Sequence, residues 1–202
     1  MHRNNAAEAV LALTQKNIST ARAIIADLDI EGAWRSIGAE VNLVGSLKIG
    51  LLGKHRDIDF HVYTPAVLPS ESFRAMGRIA ANPRIERIEY GNLIDTEEEC
   101  IEWHARYRDT LGETWQLDII HIRRGSAYDG FAERAAEKIA AALTPQTRAT
   151  ILRLKYETPD DEKIMGIEYY LAVLRDGVTS YAEFTAWRAA HPLRDIVLWT
   201  PE

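Results

Sequence analysis

Apolar residues recur at helical spacing from Asn5 to about Ala39, at alternating positions from Val41 to Arg123, and at helical spacing again beyond Tyr128. In the first stretch Ala6, Val10, Leu11 and Leu13 predict one amphipathic helix. Ala21, Ile24, Ile25 and Leu28 predict a second, opened by Ser19 as N-cap. The middle stretch predicts strands at Val41–Val44, Asp57–Tyr63, Ile85–Tyr90, Cys100–Arg108 and Thr114–Arg123. One helix interrupts them, with Ser70 as N-cap, Phe73, Met76, Ile79 and Ala80 as its buried stripe, and Asn82-Pro83 as its end. Asp109-Thr110-Leu111-Gly112 reads as the turn of a hairpin joining the last two strands.

Beyond Tyr128, FAERAAEKIAAAL is rich in strong helix formers, and Thr144-Pro145 supplies an N-cap and a first-turn proline for the next helix. KIMGIEYYLAVL predicts a helix running to a stop at Asp176-Gly177, and Ser180 with Glu183 fits a capping box in front of Phe184 and Trp187. Helices, then a mixed sheet, then a helical bundle argue for an α+β architecture rather than a regular β-α-β alternation. The expected division is an α+β domain with a helical lead-in at residues 1–126 and a helical domain at 127–202.

Composition narrows the class. The 202 residues are 47% hydrophobic and 27% charged, which fits a packed core and excludes wholesale disorder. Thirty acidic against 24 basic side chains give a formal charge of -6, without the basic footprint that holds duplex nucleic acid by its phosphates. Cys100 is the sole cysteine, so no intrachain disulfide or thiolate zinc site is available. No apolar run reaches the roughly 18 residues of a spanning helix, and the N-terminal stretch carries Glu8 within its apolar part and lacks a cleavage site. The expectation is a cytoplasmic protein with no membrane association.

Candidate chemistry sits in VNLVGSLKIGLLGKHRDIDFHVYT. An apolar strand runs into Gly45-Ser46 and then a short apolar segment, a strand-to-helix turn of the kind whose unpaired amides cradle a phosphate. Taken alone, Gly-Ser also fits an ordinary tight turn. Ten residues later the strand Asp57–Tyr63 puts Asp57, Asp59 and His61 on one face and Ile58, Phe60 and Val62 on the other. Two carboxylates at i and i+2 lie about 7 Å apart at Cα and suit joint ligation of a hard cation such as magnesium. An Asp-x-Asp pair also occurs on the solvent face of an edge strand, although aspartate is a poor strand residue. Asp118, flanked by Leu117, Ile119 and Ile120, is a third carboxylate in an otherwise apolar strand, where it needs a metal or a partner.

Val44-Gly45-Ser46, the ten-residue gap, Asp57-Ile58-Asp59-Phe60 and the later Leu117-Asp118-Ile119-Ile120 together resemble the signature of the nucleotidyltransferase superfamily, with its DNA polymerase beta-like catalytic fold. The resemblance covers roughly Val41 to Ile122. The helical C-terminal region is similar to the bundle with which small members, such as antibiotic nucleotidyltransferases, close their cleft. The resemblance implies that Gly45 and Ser46 bind the triphosphate of a nucleotide, ATP by default, and that Asp57 and Asp59 hold two Mg ions. It implies that Asp118 joins the nucleophile-side metal and takes the proton of the attacking hydroxyl. Lys48, Lys54 and Arg56 are close enough in sequence to reach the phosphates, Lys155 and Lys163 to reach them from the C-terminal helices, and Tyr169 and Tyr170 to offer an aromatic face. The implied reaction moves a nucleoside monophosphate from the triphosphate to a hydroxyl of a small molecule or protein.

Two other readings compete. His55, Asp57, Asp59 and His61 alternate along one strand and suggest a zinc, manganese or iron hydrolase. In line they span about 20 Å, too far to surround one ion, so His55 and His61 are expected to flank the site. His104 and His121 have no evident partners in sequence and are expected to be structural. The other reading keeps the fold without the chemistry, as a binding module whose Trp103, Trp115, Trp187 and Trp199 serve a protein partner. Exposed tryptophans near the C-terminus would also permit a homodimer. Asn92–Glu99, NLIDTEEE, is expected as an acidic loop near the cleft.

Overall fold

Strands form at Glu40–Val44 (β1), Asp57–Thr64 (β2), Ile85–Leu93 (β3), Cys100–Arg108 (β4) and Thr114–Arg123 (β5), in a computed structural model that describes residues 2–193 and 197–201. They join one sheet in the order β1-β2-β5-β4-β3. Only β2 and β5 run parallel, and every other neighbouring pair is antiparallel. The helices are α1 (His2–Asp27), α2 (Ile30–Arg35), α3 (Gly45–Lys48), α4 (Pro69–Ala80), α5 (Phe131–Ala142), α6 (Pro145–Glu157), α7 (Gly166–Tyr170) and α8 (Tyr181–Ala190), with a π-helical turn at Leu171–Arg175 continuing α7. The architecture is α+β with a mixed sheet.

Alternation along β2 decides which face meets the helices. Ile58, Phe60 and Val62 are buried in a cluster with Ala21 and Ile24 of α1, Leu28 just after it, Trp34 of α2 and Met76 and Ile79 of α4, each buried Val, Leu, Ile, Phe or Met side chain worth about 1.5–3 kcal/mol. Asp57, Asp59 and His61 take the opposite face. A second cluster gathers α5 to α8 around Ile151, Leu154, Tyr169 and Phe184. Val10 of α1 and Ile49 and Leu51, which follow β1, belong to this second cluster. α1 therefore packs into both clusters, Val10 in one and Ala21 in the other.

Several expectations are corrected. The lead-in is one continuous helix rather than two, and Ser19 lies inside it. No glycine or proline interrupts residues 5–27, and the Thr20 hydroxyl is satisfied by Lys16 O at 3.1 Å within the helix. α4 opens with Leu68 as N-cap and Pro69 at its first position, not with Ser70, because proline arrives with helical φ and needs no amide partner there. Its buried stripe is Ser72, Ala75, Met76 and Ile79, whereas Phe73 and Ala80 are exposed. Ser72 is tolerated there because Trp103 Nε1 donates to its hydroxyl at 2.8 Å.

The segment Lys163–Met165 is not helical. α7 begins only at Gly166, where the Met165 amide is capped by Glu168 Oε1 at 3.1 Å. Thr144 and Ser180 cap α6 and α8 as expected, and the hairpin turn is tied by Asp109 Oδ1, which accepts from Leu111 N and Glu113 N. Trp103, Trp115 and Trp187 are buried core residues rather than a partner surface, and Trp199 is partly buried against the second cluster. Among the described residues, no helix is long and apolar enough to cross a membrane.

Candidate active site

β1 delivers the chain to the site by pairing with β2 so that Val44 lies opposite Asp59. The next residue, Gly45, turns with φ 67°, and a Cβ on it would collide with the Asp59 carboxylate. Glycine is thus required twice, for the positive φ and for the close approach. The turn opens α3, and Ser46 Oγ meets two groups from the C-terminal helices. Lys155 Nζ donates to it at 2.7 Å and the Tyr170 hydroxyl lies 3.0 Å away.

The parallel pairing of β2 with β5 sets Asp59 opposite Asp118 and Asp57 opposite Gln116. Neighbouring strands lie about 4.8 Å apart, so three carboxylates converge where the start of β2 meets the middle of β5. Among the described residues no hydrogen-bond donor reaches Asp57 or Asp59. Burial, then the charges of Asp57 and Asp118, push Asp59 up to about 7. Burial and then the Asp118 charge push Asp57 up as well, against the opposing pull of His55, Lys155 and Lys163. Such a group is short of positive charge.

Asp118 is held by its neighbours. His104 Nδ1 lies 2.6 Å from Asp118 Oδ1, and Gln116 Nε2 donates to Oδ1 at 3.0 Å and Oδ2 at 3.2 Å. Burial depresses the His104 imidazole, but the hydrogen bond and charge of Asp118, with Glu102 and Glu89, outweigh it and hold its pKa above the usual histidine value. His104 was expected to lack a partner, and the structure gives it one in Asp118. The signal was in the hairpin: with Arg108 opposite Thr114, counting outward from the turn puts His104 opposite Asp118. His121 is structural, buried with its Nε2 2.7 Å from the Thr64 hydroxyl.

A cleft of about 480 Å³ opens in front of this group, lined by Ser46, His55, Asp57, Gln116, Asp118, Lys155, Lys163 and Tyr169 among others. Asp59 and Gly45 are not among its lining residues. Lys155 is buried on α6, fixed by Ser46 and by Leu51 O at 3.1 Å, with the Tyr169 and Tyr170 rings 5.6 and 5.5 Å from its ammonium. Lys163 reaches the cleft from the extended segment before α7 rather than from a helix. Tyr169 stacks on Phe184 at 4.7 Å and is anchored by Thr158.

Other sequence-named residues lie apart. Lys48 is exposed and does not line the cleft. Arg56 pairs with Glu113 at 2.9 Å and Lys54 with Asp160 at 2.6 Å. Both border a second groove of about 710 Å³ that shares His55 with the cleft. His55 precedes β2, and His61 is depressed by burial to about 4. Among the described residues, no three His, Cys, Asp or Glu side chains form a ready-made metal cage, and His55 stands outside the strand on which the four-ligand reading placed it. The acidic segment after β3 is also misplaced by the expectation. Leu93 pairs with Cys100, which pairs with Ile122, at the opposite end of the sheet from Asp57.

No protein-family model matches the chain, and no curated protein does. Solved structures do. The chain is similar to the Cid1 poly(U) polymerase bound to MgGTP, with a TM-score of 0.58 at 16% identity over 86% of this chain and 56% of that one. It is similar to a cytoplasmic RNA terminal U-transferase, with a TM-score of 0.51 at 16% identity over 84% of this chain and 51% of that one. It also matches the non-canonical poly(A) polymerase complex GLD-2–GLD-3, with a TM-score of 0.57 at 11% identity over 93% of this chain and 63% of that one. The chain therefore spans between about half and two thirds of the length of the chains it matches. Sheet order, the Gly45 turn and these likenesses agree: the chain has the nucleotidyltransferase fold.

Proposed function

We propose that the protein is a Mg-dependent nucleotidyltransferase that moves a nucleoside monophosphate from a nucleoside triphosphate to an acceptor hydroxyl and releases pyrophosphate. The observation that carries this reading is the register that sets Asp59 beside Asp118, with Asp57 on the same face, next to the Gly45 turn and Lys155. The donor set fits magnesium, which is held by one or two carboxylates together with substrate phosphates rather than by an all-protein cage. Asp57 and Asp59, unpaired and both pushed up by burial and by the neighbouring carboxylate charges, are what such a cation would relieve. Asp57, Asp59 and Asp118 would hold two ions, which supply charge neutralisation at the attacking and leaving oxygens. Neighbours of the same fold bind MgGTP, MgATP and Mg 3'-dATP.

The chain's own residues then position the reactants. The Gly45–Ser46 turn, Lys155 and Lys163 hold the triphosphate, with ATP as the default donor. Asp118 Oδ1 is occupied by His104 and Gln116, so Oδ2 is the freer oxygen and accepts the proton of the acceptor hydroxyl. The acceptor oxygen bonds to the α-phosphorus as the α–β bridging oxygen departs with pyrophosphate, and most of the acceleration comes from positioning and electrostatics.

For the acceptor, a small molecule or a protein side chain is favoured by the charge of -6 and by the neutralisation of Lys54 and Arg56 by Asp160 and Glu113. A single-stranded RNA 3'-hydroxyl is the second reading, favoured by the RNA-extending neighbours. The test is pyrophosphate release with each ribonucleoside triphosphate and Mg, against a panel of cationic sugars and a panel of short RNAs. Acceptor-dependent release that disappears in Asp57→Asn is expected, and the active panel names the class. Absence of release with both panels, together with absence of nucleotide binding, would leave the binding-module reading instead.

A further inference from the structure

β3 is an edge of the sheet: it pairs with β4 on one side, and among the described residues no strand pairs with its other side. A nine-residue edge with free backbone groups is a template for another strand. Beside it lies an apolar margin, with Phe73 51% and Tyr90 39% exposed. The Phe73 and Tyr90 rings pack at 4.8 Å and Tyr90 continues onto Trp103 at 4.9 Å, so this margin is fixed to the core.

The charges along β3 select an occupant. In an antiparallel pair of two copies, residues of the same face meet symmetrically about the centre. Centring on Arg87 sets arginine against arginine, and centring on Glu89 sets glutamate against glutamate. A centre on Tyr90 leaves both charges facing uncharged residues. Centring on Ile88 alone among these sets Arg87 against the partner's Glu89 and Glu89 against the partner's Arg87, with the two Ile88 side chains in contact on the helix-facing side.

Within the chain, Arg87 Nε already meets Glu89 Oε1 at 2.8 Å, Arg87 lies opposite Arg106 of β4, and Glu89 lies opposite His104. Arg106 is exposed and has no ion pair among the described residues, so the Arg87–Arg106 neighbours have one carboxylate between them. A second acid beside Arg87 would complete that row. We propose that the protein forms a homodimer by antiparallel β3–β3 pairing about Ile88, extending the sheet across two copies with Arg87 and Glu89 as reciprocal ion pairs.

The test is sedimentation of the full chain at tens of micromolar. The wild type is expected at twice the 22.8 kDa chain mass. Arg87→Glu and Glu89→Arg each place like charges face to face and are expected to weaken the dimer about tenfold or more. The double variant restores both pairs and is expected to dimerise again. Arg87 and Glu89 are both exposed, and thermal midpoints confirm that each variant is folded. A monomeric wild type, single variants that dimerise as well as the wild type, a double variant that stays monomeric, or a different polypeptide on this edge would each overturn the proposal.

Discussion

Asp59 carries the perturbation most informative about the site. Its pKa in the folded chain, about 7 against 3.8 for a free carboxyl, means that the metal-free native state binds a proton the unfolded chain releases. Stability of the metal-free protein therefore falls as pH rises from about 4 to 7 on account of this group. Asp59→Asn is expected to remove that loss and raise the metal-free thermal midpoint at pH 8 by a few degrees, about 2–6 °C, as read by scanning calorimetry. His61 and His121, both depressed to about 4 by burial, act on the acid side. Their contribution is full above 6.5 and is lost as pH falls through 4. The comparison at pH 8 is therefore clear of them. His104 acts through Asp118, so His104→Ala is expected to lower kcat about 10–100-fold with little change in the KM for nucleotide. An unchanged kcat would show that the His104–Asp118 bond is only structural. The Asp-x-Asp pair was legible because aspartate is rare in strands. His104 was read as structural, because its partner appears only once the hairpin is folded about its own turn.

Among the elements, the strands were the most legible, since β2, β4 and β5 alternate strongly enough for their starts to coincide with the alternation. Helix starts were read well where a hydroxyl caps them, at Thr144 and Ser180, and badly where proline does the same work, at Pro69. The α1 break was expected from a serine that proved compatible with helix interior. The Lys163–Met165 segment looked helical by composition, but it is not, and its Lys163 lines the cleft. At the β1–α3 turn the element rests on one residue. Gly45→Ala is expected to cost about 1–3 kcal/mol and to displace Asp59, so that denaturant unfolding shows lower stability and nucleotide affinity falls with it. Full stability and full affinity in that variant would show that the turn tolerates a side chain and does not set the carboxylate.

For the whole molecule, the site lies where the sheet meets the C-terminal helices. Ser46 belongs to the sheet side, while Lys155 and Tyr170 belong to the helical side, and their hydrogen bonds join the two beside the carboxylates. α1 ties the same two parts through Val10 and Ala21. Lys155 and Tyr170 were named from the sequence as candidates to reach the site from the C-terminal helices, but their hydrogen bonds to Ser46 and the bridging by α1 were not legible, because sequence spacing carries no information on which helix face a distant strand will meet. The ordered triplet of Gly-Ser, Asp-x-Asp and a later strand aspartate was legible, since fold and chemistry demand it together. The most direct measurement is the thermal midpoint with ATP and the other ribonucleoside triphosphates, with and without Mg, for the wild type and for Asp57→Asn. A ligand that binds only the native state raises the midpoint. The expected result is a rise of several degrees with at least one triphosphate that requires Mg and is absent in Asp57→Asn. A midpoint unmoved by every triphosphate at millimolar concentration, or a rise that Asp57→Asn retains in full, would contradict the assignment of these carboxylates to a nucleotide site.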